Sequence, residues 1–267
     1  IESGLMNVWP TLPEDLRRPL VFPGDEKTVH LIETHLSYVF LTKSVVYKIK
    51  KPIKLDFVDF STLKLRKFYC CEELRLNAAF APELYLAVVP VILSKDGTLR
   101  IDPEGLNATD QQAEIVEWAV KMRRFDQSAE ADRLVEAGKL DRLQFCAFGQ
   151  QLASQHKNLP TVVAAPDIAN AIKENFTTIN RTDLGLEYSD LLADLAVQTD
   201  RDLAVSGVQI AGRAKAGAVR ECHGDLHLSN MIMLEGRLRA FDCLEFNTEL
   251  RTIDVWNDVA FLFMDCI

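Results

Sequence analysis

Several common sequence features are missing from this chain of 267 residues, and each absence excludes a class of protein. No apolar run approaches the roughly 18 residues that a membrane-spanning helix needs, so we predict no span of that kind. No basic run is interleaved with aromatic residues, and 39 acidic against 30 basic residues give a formal charge of −9. A nucleic-acid-binding protein would carry a basic face, so we exclude that class as well.

The six cysteines show no Cys-x-x-Cys pair and no regular spacing. Cys70 and Cys71 are adjacent, and a disulfide between them would be strained. We therefore expect reduced thiols and, since the N-terminus shows no signal-peptide pattern, a cytoplasmic protein. The acidic surplus suits a cationic small molecule as ligand, without identifying one.

What the chain does carry is one chemically specific stretch near its C-terminal end. His223, Gly224 and Asp225 are followed, after four residues, by Asn230. This spacing is typical of the catalytic loop of phosphoryl-transfer enzymes. In such a loop an Asp orients the attacking hydroxyl and accepts its proton, while an Asn oxygen holds magnesium. The stretch predicts Asp225 and His223 as catalytic residues and Asn230 as a metal ligand.

A second metal ligand is expected at the end of the hairpin that follows. Residues 231–234 and 238–241 have the pattern of two strands around a Glu235-Gly236 turn. Asp242 closes this hairpin, where a carboxylate would bridge the metal and phosphate oxygens. A helix predicted over residues 253–267 brings further acidic residues after it.

Another predicted strand, over residues 45–50, places Val46, Lys48 and Lys50 on one face. In a kinase-type site a small apolar residue of such a strand packs against adenine, and a Lys two positions later reaches the phosphates. Val46 and Lys48 fit this pattern. Lys50, Lys51 and Lys54 are the alternatives to Lys48 that the spacing rejects.

A long amphipathic helix is predicted over residues 61–80, with Ser61 as its N-cap. It carries Glu72 and Glu73. A kinase needs one Glu on this helix to pair with the strand Lys and fix its ammonium group. The spacing does not decide between the two glutamates.

The distribution of strands and helices predicts an α+β fold with two lobes. Residues 1–125 would form a lobe of antiparallel strands with the one long helix, and residues 126–267 a mainly helical lobe with the catalytic stretch. Helices are predicted in the second lobe over residues 132–137, 140–159, 165–177, 188–206 and 207–217. Residues 123–126 would connect the lobes.

Two other functional interpretations stay open at this stage. His223, Asp225 and His227 form a His-x-Asp-x-His pattern with metal-ligand spacing, which would suit a metal hydrolase. A regulatory module that binds nucleotide with little turnover is the other, although it would not need a base such as Asp225.

With these residues assembled, the chain resembles the aminoglycoside phosphotransferase group of protein-kinase-like enzymes. The catalytic stretch of that group reads His-Gly-Asp-x4-Asn, followed by Ile-Asp or Phe-Asp, as in Phe241-Asp242 here. The chain is most similar to a bacterial subgroup of uncharacterised members. The segments that carry this resemblance are residues 33–40, 46–52, 57–63, 73–77, 122–126, 250–255 and 258–261.

The resemblance implies a bilobal kinase that uses ATP and Mg²⁺ to phosphorylate a small molecule. It implies Asp225 as catalytic base, Asn230 and Asp242 as metal ligands, and Lys48 as the phosphate-binding cation positioned by Glu73 or Glu72. It also implies that adenine lies between Val46 and a hinge at Met122, and that a turn ending at Ser37 covers the nucleotide.

This chain departs from the kinase pattern in two respects. The Thr34–Ser37 turn has no Gly-rich run, so phosphate contacts there would come from the backbone and Ser37. Members of the subgroup often continue into a C-terminal P-loop ATPase domain, whose Gly-x4-Gly-Lys-Ser/Thr signature does not occur in these 267 residues. We expect that domain, and further helices that shape the acceptor pocket, to lie outside this sequence.

Overall fold

The computed structural model describes residues 12–18, 21–23, 28–102, 113–162 and 168–267. The elements of its first part are α1 (Leu12–Asp15), β1 (His30–Glu33), β2 (Ser37–Leu41), β3 (Val45–Lys50), a small hairpin of β4 (Lys54–Leu55) and β5 (Val58–Asp59), α2 (Leu63–Asn77), β6 (Tyr85–Leu93), β7 (Leu99–Ile101) and β8 (Glu114–Arg123). Six of these strands form one antiparallel sheet in the order β1-β2-β3-β8-β6-β7.

Helices dominate the second part, with short two-stranded pairings between them. Its elements are α3 (Ala131–Glu136), α4 (Arg142–Asn158), α5 (Ile168–Ile179), α6 (Asp183–Glu187), α7 (Ser189–Lys215), β9 (Val219–Glu221), β10 (Met231–Leu234), β11 (Arg237–Ala240), α8 (Thr248–Arg251), β12 (Thr252–Asp254) and α9 (Val255–Asp265). The predicted α+β class is confirmed, while the lobe boundary at residue 125 stays a prediction. Within the described ranges, no helix combines the length and apolar character needed to cross a membrane.

The β10–β11 hairpin packs against the sheet of the first part. One buried cluster contains Val46 of β3, Tyr85 of β6 and Met122 of β8 together with Ile232 and Phe241 of the hairpin region. The hairpin is antiparallel, as predicted, with Met231 opposite Ala240. Because Phe241 is buried in this cluster, the residue that follows it is held close to β3.

Helix α2 packs on the sheet and is tied to β8 by a buried ion pair. Arg66 Nε lies 2.7 Å from Glu117 Oε2, and its Nη1 donates to the Phe60 carbonyl at 2.9 Å. The predicted N-cap, Ser61, was wrong by one residue: the Thr62 hydroxyl accepts the Leu65 N–H instead. The Ser61 hydroxyl hydrogen-bonds Asp59, which is why it is not available as the cap.

The two helices predicted over residues 188–206 and 207–217 are a single helix, α7. Gly207 lies in its interior and does not interrupt it. A helical Gly costs only about 1 kcal/mol relative to Ala, which the flanking turns can offset. The final helix was predicted to start at residue 253 but starts at Val255, because Asp254 caps it by accepting the Trp256 N–H.

Candidate active site

A cavity of about 980 Å³ lies between the sheet and the second part of the chain. Six of the residues predicted to contact nucleotide, metal or acceptor line it: Ser37, Val46, Lys48, Met122, Asp225 and Asp242. The predicted metal ligand Asn230 does not. Phe125 and Phe241 stack edge to face beside Val46 and Met122, with ring centroids 5.4 Å apart. The cavity is therefore lined by a group of apolar side chains as well as by charged ones.

Lys48 joins the two parts of the chain at the centre of this cavity. Its Nζ lies 2.9 Å from Glu73 Oε1 on α2 and 2.5 Å from Asp242 Oδ1. Burial alone would lower the pKa of Lys48, but Asp242 and Glu73 raise it well above its usual value. The ammonium group is therefore charged at neutral pH and faces the cavity.

Of the two candidate glutamates, Glu73 is the one that contacts Lys48. Glu73 is fully buried, and although burial alone would raise its pKa, Lys48 and Lys50 hold that pKa below its usual value. Glu72 points elsewhere: it pairs with Arg75 at 2.7 Å and with Arg251 at 3.4 Å. The expectation that Glu72 serves the nucleotide site is corrected by this geometry.

Lys50, which the strand spacing did not favour as the phosphate-binding cation, is part of the same cluster as Lys48 and Glu73. Its side chain is 1% exposed and its Nζ lies 2.8 Å from Glu73 Oε2. It also forms an ion pair with Glu245, three residues after Asp242. The available signal was the strand alternation, which places Lys50 on the same face as Lys48. Lys50 does not line the described cavity, so it acts on the site through its contact with the buried carboxylate of Glu73.

Asp225 is half-buried and lies at the cavity wall. The Asn230 Nδ2 group donates to the Asp225 carboxylate at 3.1 Å and to its carbonyl at 3.0 Å. His227 Nε2 lies 3.5 Å from the same carboxylate. The His227 hydrogen bond lowers the pKa of Asp225 against the opposing effect of burial. The carboxylate is therefore ionised near neutral pH, as a general base must be.

His223, predicted as catalytic, is fully buried and does not line the described cavity. Its Nδ1 accepts the Asp225 N–H at 3.3 Å, so the Nε2–H donates to the Phe241 carbonyl at 2.9 Å. Burial lowers the pKa of His223, which favours this neutral form. His223 therefore positions Asp225 and Phe241 and does not itself contact a substrate.

Asp258, on α9, holds the backbone of the catalytic stretch. Its carboxylate accepts the N–H groups of His223 and Gly224 at 3.0 and 2.9 Å and contacts His156 Nε2 at 2.9 Å. Gly224 has φ +83°, and a Cβ there would lie 2.9 Å from the Arg251 Cβ. The Gly of the motif is thus required by both its conformation and the close approach of α8.

The metal-hydrolase interpretation is not compatible with this arrangement. Both ring nitrogens of His223 are engaged by backbone groups, so this residue cannot join Asp225 and His227 around an ion. In a different buried group, the potential ligand atoms of His156, Cys222 and Asp258 lie within 4.8 Å of one another. There the Asp258 oxygens already accept backbone N–H groups, which would oppose a cation.

Two predicted metal ligands carry oxygen donors that fit magnesium: Asp242, which lines the cavity, and Asn230, which contacts Asp225 but does not itself line the cavity. Asp242 keeps 40% of its side chain exposed. Asn230 uses its Nδ2 group toward Asp225, which leaves its Oδ1 as the acceptor. Carboxylate and amide oxygens are the ligands that Mg²⁺ takes, usually with water and phosphate oxygens completing the shell.

Comparisons with known proteins give relatives without an assigned activity. No protein-family profile matches the chain. Three uncharacterized proteins, one from Mycobacterium bovis and two from strains of Mycobacterium tuberculosis, are 29% identical over 247 residues, covering 90% of this chain and 46% of each relative. The chain thus spans about half the length of the curated relatives it matches. The predicted aminoglycoside phosphotransferase resemblance stays a prediction.

Two solved structures show a distant likeness. A choline/ethanolamine kinase family protein from Mesorhizobium loti matches with a TM-score of 0.45 and 12% identity, over 91% of this chain and 64% of that one. An ethanolamine kinase from Plasmodium vivax matches with a TM-score of 0.38 and 14% identity, over 89% and 60% of the two chains.

Proposed function

We propose that this chain is an ATP- and Mg²⁺-dependent phosphotransferase that moves the γ-phosphoryl group of ATP to a hydroxyl of a small molecule. The observation that supports it most is the convergence of Lys48, Asp242 and Asp225 on one cavity, with Glu73 buried behind Lys48. A cation for phosphate, a carboxylate for metal and a carboxylate for the acceptor are the parts that phosphoryl transfer needs.

In this proposal the nucleotide lies along the sheet side of the cavity. Adenine would pack between Val46 and the region of Met122, where apolar walls are available. Lys48 would bind phosphate oxygens, with Glu73 fixing its ammonium group. Ser37 closes the turn that begins at Thr34, since its N–H donates to the Thr34 hydroxyl at 2.9 Å, and this turn would cover the phosphates.

Asp225 would orient the acceptor hydroxyl and take its proton. The acceptor oxygen forms a bond to the γ-phosphorus while the bond from that phosphorus to the β–γ bridging oxygen breaks, so ADP leaves. Asp242 and Asn230 would hold Mg²⁺, whose positive charge stabilises the phosphate oxygens when it is bound. The acidic surplus of the chain favours a cationic acceptor.

The first test is calorimetric titration with ATP in the presence and absence of Mg²⁺, paired with two variants. We expect Asp242→Asn to weaken Mg²⁺-dependent binding, because it removes a charged metal ligand. Asp225→Asn should leave ATP affinity nearly unchanged but reduce ADP release about 10²–10⁴-fold, the usual range for general-base assistance.

The outcomes separate the alternatives. Absence of Mg²⁺-dependent ATP binding by the unaltered chain would reject the proposal. Tight binding without ADP release, across a screen of hydroxyl-bearing compounds that includes cationic ones, would favour the regulatory module. Full turnover by Asp225→Asn would remove Asp225 from its proposed role. The predicted C-terminal ATPase domain stays a proposal for the whole protein.

A further inference from the structure

Asp242 has a left-handed backbone conformation, which is uncommon for residues other than glycine. Its φ is +61°, and among the described non-glycine residues Glu235, in the β10–β11 turn, is the other with positive φ. An L-residue with a side chain is strained there and stays only when its surroundings hold it.

Four consecutive backbone N–H groups, those of residues 241–244, donate hydrogen bonds that fix the backbone around Asp242. The Asp242 N–H donates to the Tyr85 hydroxyl at 3.0 Å. The Phe241 and Leu244 N–H groups donate to the carbonyls of Asn230 and His223, at 2.9 and 3.0 Å. The Cys243 N–H donates to the Asn77 Oδ1 at 3.2 Å. Two of these partners are side chains from outside the catalytic stretch.

We infer that Tyr85 is a positioning residue for the metal ligand Asp242, an inference that rests on the proposed function. Tyr85 is 5% exposed, is the first residue of β6, and lines the cavity together with Lys48. Its hydroxyl is the acceptor for the strained peptide N–H. Without it, that N–H would lose its partner and the backbone would relax toward the ordinary region, turning the carboxylate away from the cavity.

Asn77 couples the same segment to helix α2. Its Oδ1 accepts the Cys243 N–H, while its Nδ2 donates to the Glu73 carbonyl at 2.8 Å. One buried amide thus links the peptide after Asp242 to the residue that positions Lys48. Tyr85 fixes Asp242 from the sheet and Asn77 fixes it from the helix.

The test uses Tyr85→Phe, which keeps the ring and its packing and removes the hydroxyl alone. We expect the Mg²⁺ concentration that gives half-saturation of ATP binding to rise about 3- to 10-fold, the effect of losing one hydrogen bond. Binding of ATP without Mg²⁺ should not change. Tyr188→Phe, at a side chain 46% exposed, is the matched control and should behave like the unaltered chain.

A double-mutant cycle shows whether Tyr85 acts through Asp242. In an Asp242→Asn background, Tyr85→Phe should cause no further loss of Mg²⁺ response, because the charged ligand it positions is gone. The thermal midpoint of each variant, measured without ligand, separates a general loss of stability from the metal effect.

Three results bear on the inference. If the unaltered chain shows Mg²⁺-dependent binding and Tyr85→Phe gives the same half-saturation, the positioning role is wrong while the proposed function stands. Equal losses in both backgrounds would likewise overturn it, because they would show an effect that does not pass through Asp242. No Mg²⁺-dependent binding by the unaltered chain would instead reject the function on which the inference rests.

Discussion

At the scale of single residues, the neighbouring lysines 48, 50 and 51 have different surroundings and should have different roles. Lys48 contacts Glu73 and Asp242 at the cavity, so Lys48→Ala should weaken ATP affinity strongly. Its effect on the free energy of unfolding should be smaller than that of replacing Lys50. Lys51 pairs with the exposed carboxylate of Glu33, and such a pair contributes about 1 kcal/mol or less. Titration calorimetry of Lys48→Ala beside Lys51→Ala measures the difference, and similar affinity losses would indicate a generic basic patch.

Replacing Lys50 is expected to reduce the stability of the fold, because Lys50 is buried and does not line the cavity. It pairs with Glu245 and shares Glu73 with Lys48 in the interior. Lys50→Met would therefore leave buried Glu245 without this ion pair and Glu73 with Lys48 alone. Breaking a buried pair in this way costs about 3–5 kcal/mol, which urea denaturation would record as a large loss of unfolding free energy. Lys51→Met is the control. A Lys50→Met chain as stable as the control would show that the buried pairs contribute no net stability.

The residues of the candidate site differ in how far sequence could predict them. Lys48, Asp225 and Asp242 could be predicted as site residues, because each belongs to a short motif: a strand, a loop and a hairpin respectively. Tyr85 and Asn77 carry no such local signal, since they meet the Asp242 segment across 157 and 166 residues of chain. Only the packing of the sheet and α2 on the hairpin brings them there.

At the scale of elements, α9 holds the catalytic stretch through one side chain. Asp258→Asn would keep the volume but place an amide NH₂ where the carboxylate now accepts the N–H of His223 or Gly224. We expect a loss of about 1–3 kcal/mol in unfolding free energy, as for a buried hydrogen bond left unmade. ADP release should fall as well, because the stretch carries Asp225.

The control for α9 is Asn257→Ala, at the neighbouring exposed position of the same helix. It should leave both stability and ADP release nearly unchanged. If Asp258→Asn matched it in both measurements, α9 would not be holding the stretch. A helix over residues 253–267 was predicted from the sequence, but its start was not, because the capping role of Asp254 depends on where the preceding β12 strand ends.

At the scale of the whole molecule, strand and helix classes followed from periodicity, whereas the pairing order did not. The position of β8 between β3 and β6 depends on a long-range register, in which Lys48 lies opposite Val120. Nothing in the local pattern of residues 114–123 indicates those partners. The β4–β5 hairpin and the β9–β12 pair were missed because strands of two or three residues leave too short a pattern.

The stability of the whole chain should depend on two histidines that act in opposite directions. Asp225 raises the pKa of His227, so the folded state binds this proton more tightly than the unfolded state does. Its contribution is fully present below the unfolded pKa of about 6.5 and is lost as pH rises through the folded value. Burial lowers the pKa of His223, so the unfolded chain takes up that proton first and stability falls as pH drops below about 6.5.

Removing His227 should therefore expose the effect of His223. In His227→Gln, unfolding free energies from urea denaturation should fall more steeply between pH 7 and pH 5 than in the unaltered chain, because the compensating proton uptake by the folded state is gone. His30→Gln, at an exposed position, should keep the original slope. A slope in His227→Gln equal to or shallower than that of the unaltered chain would mean that the His227–Asp225 contact does not favour the protonated histidine in solution.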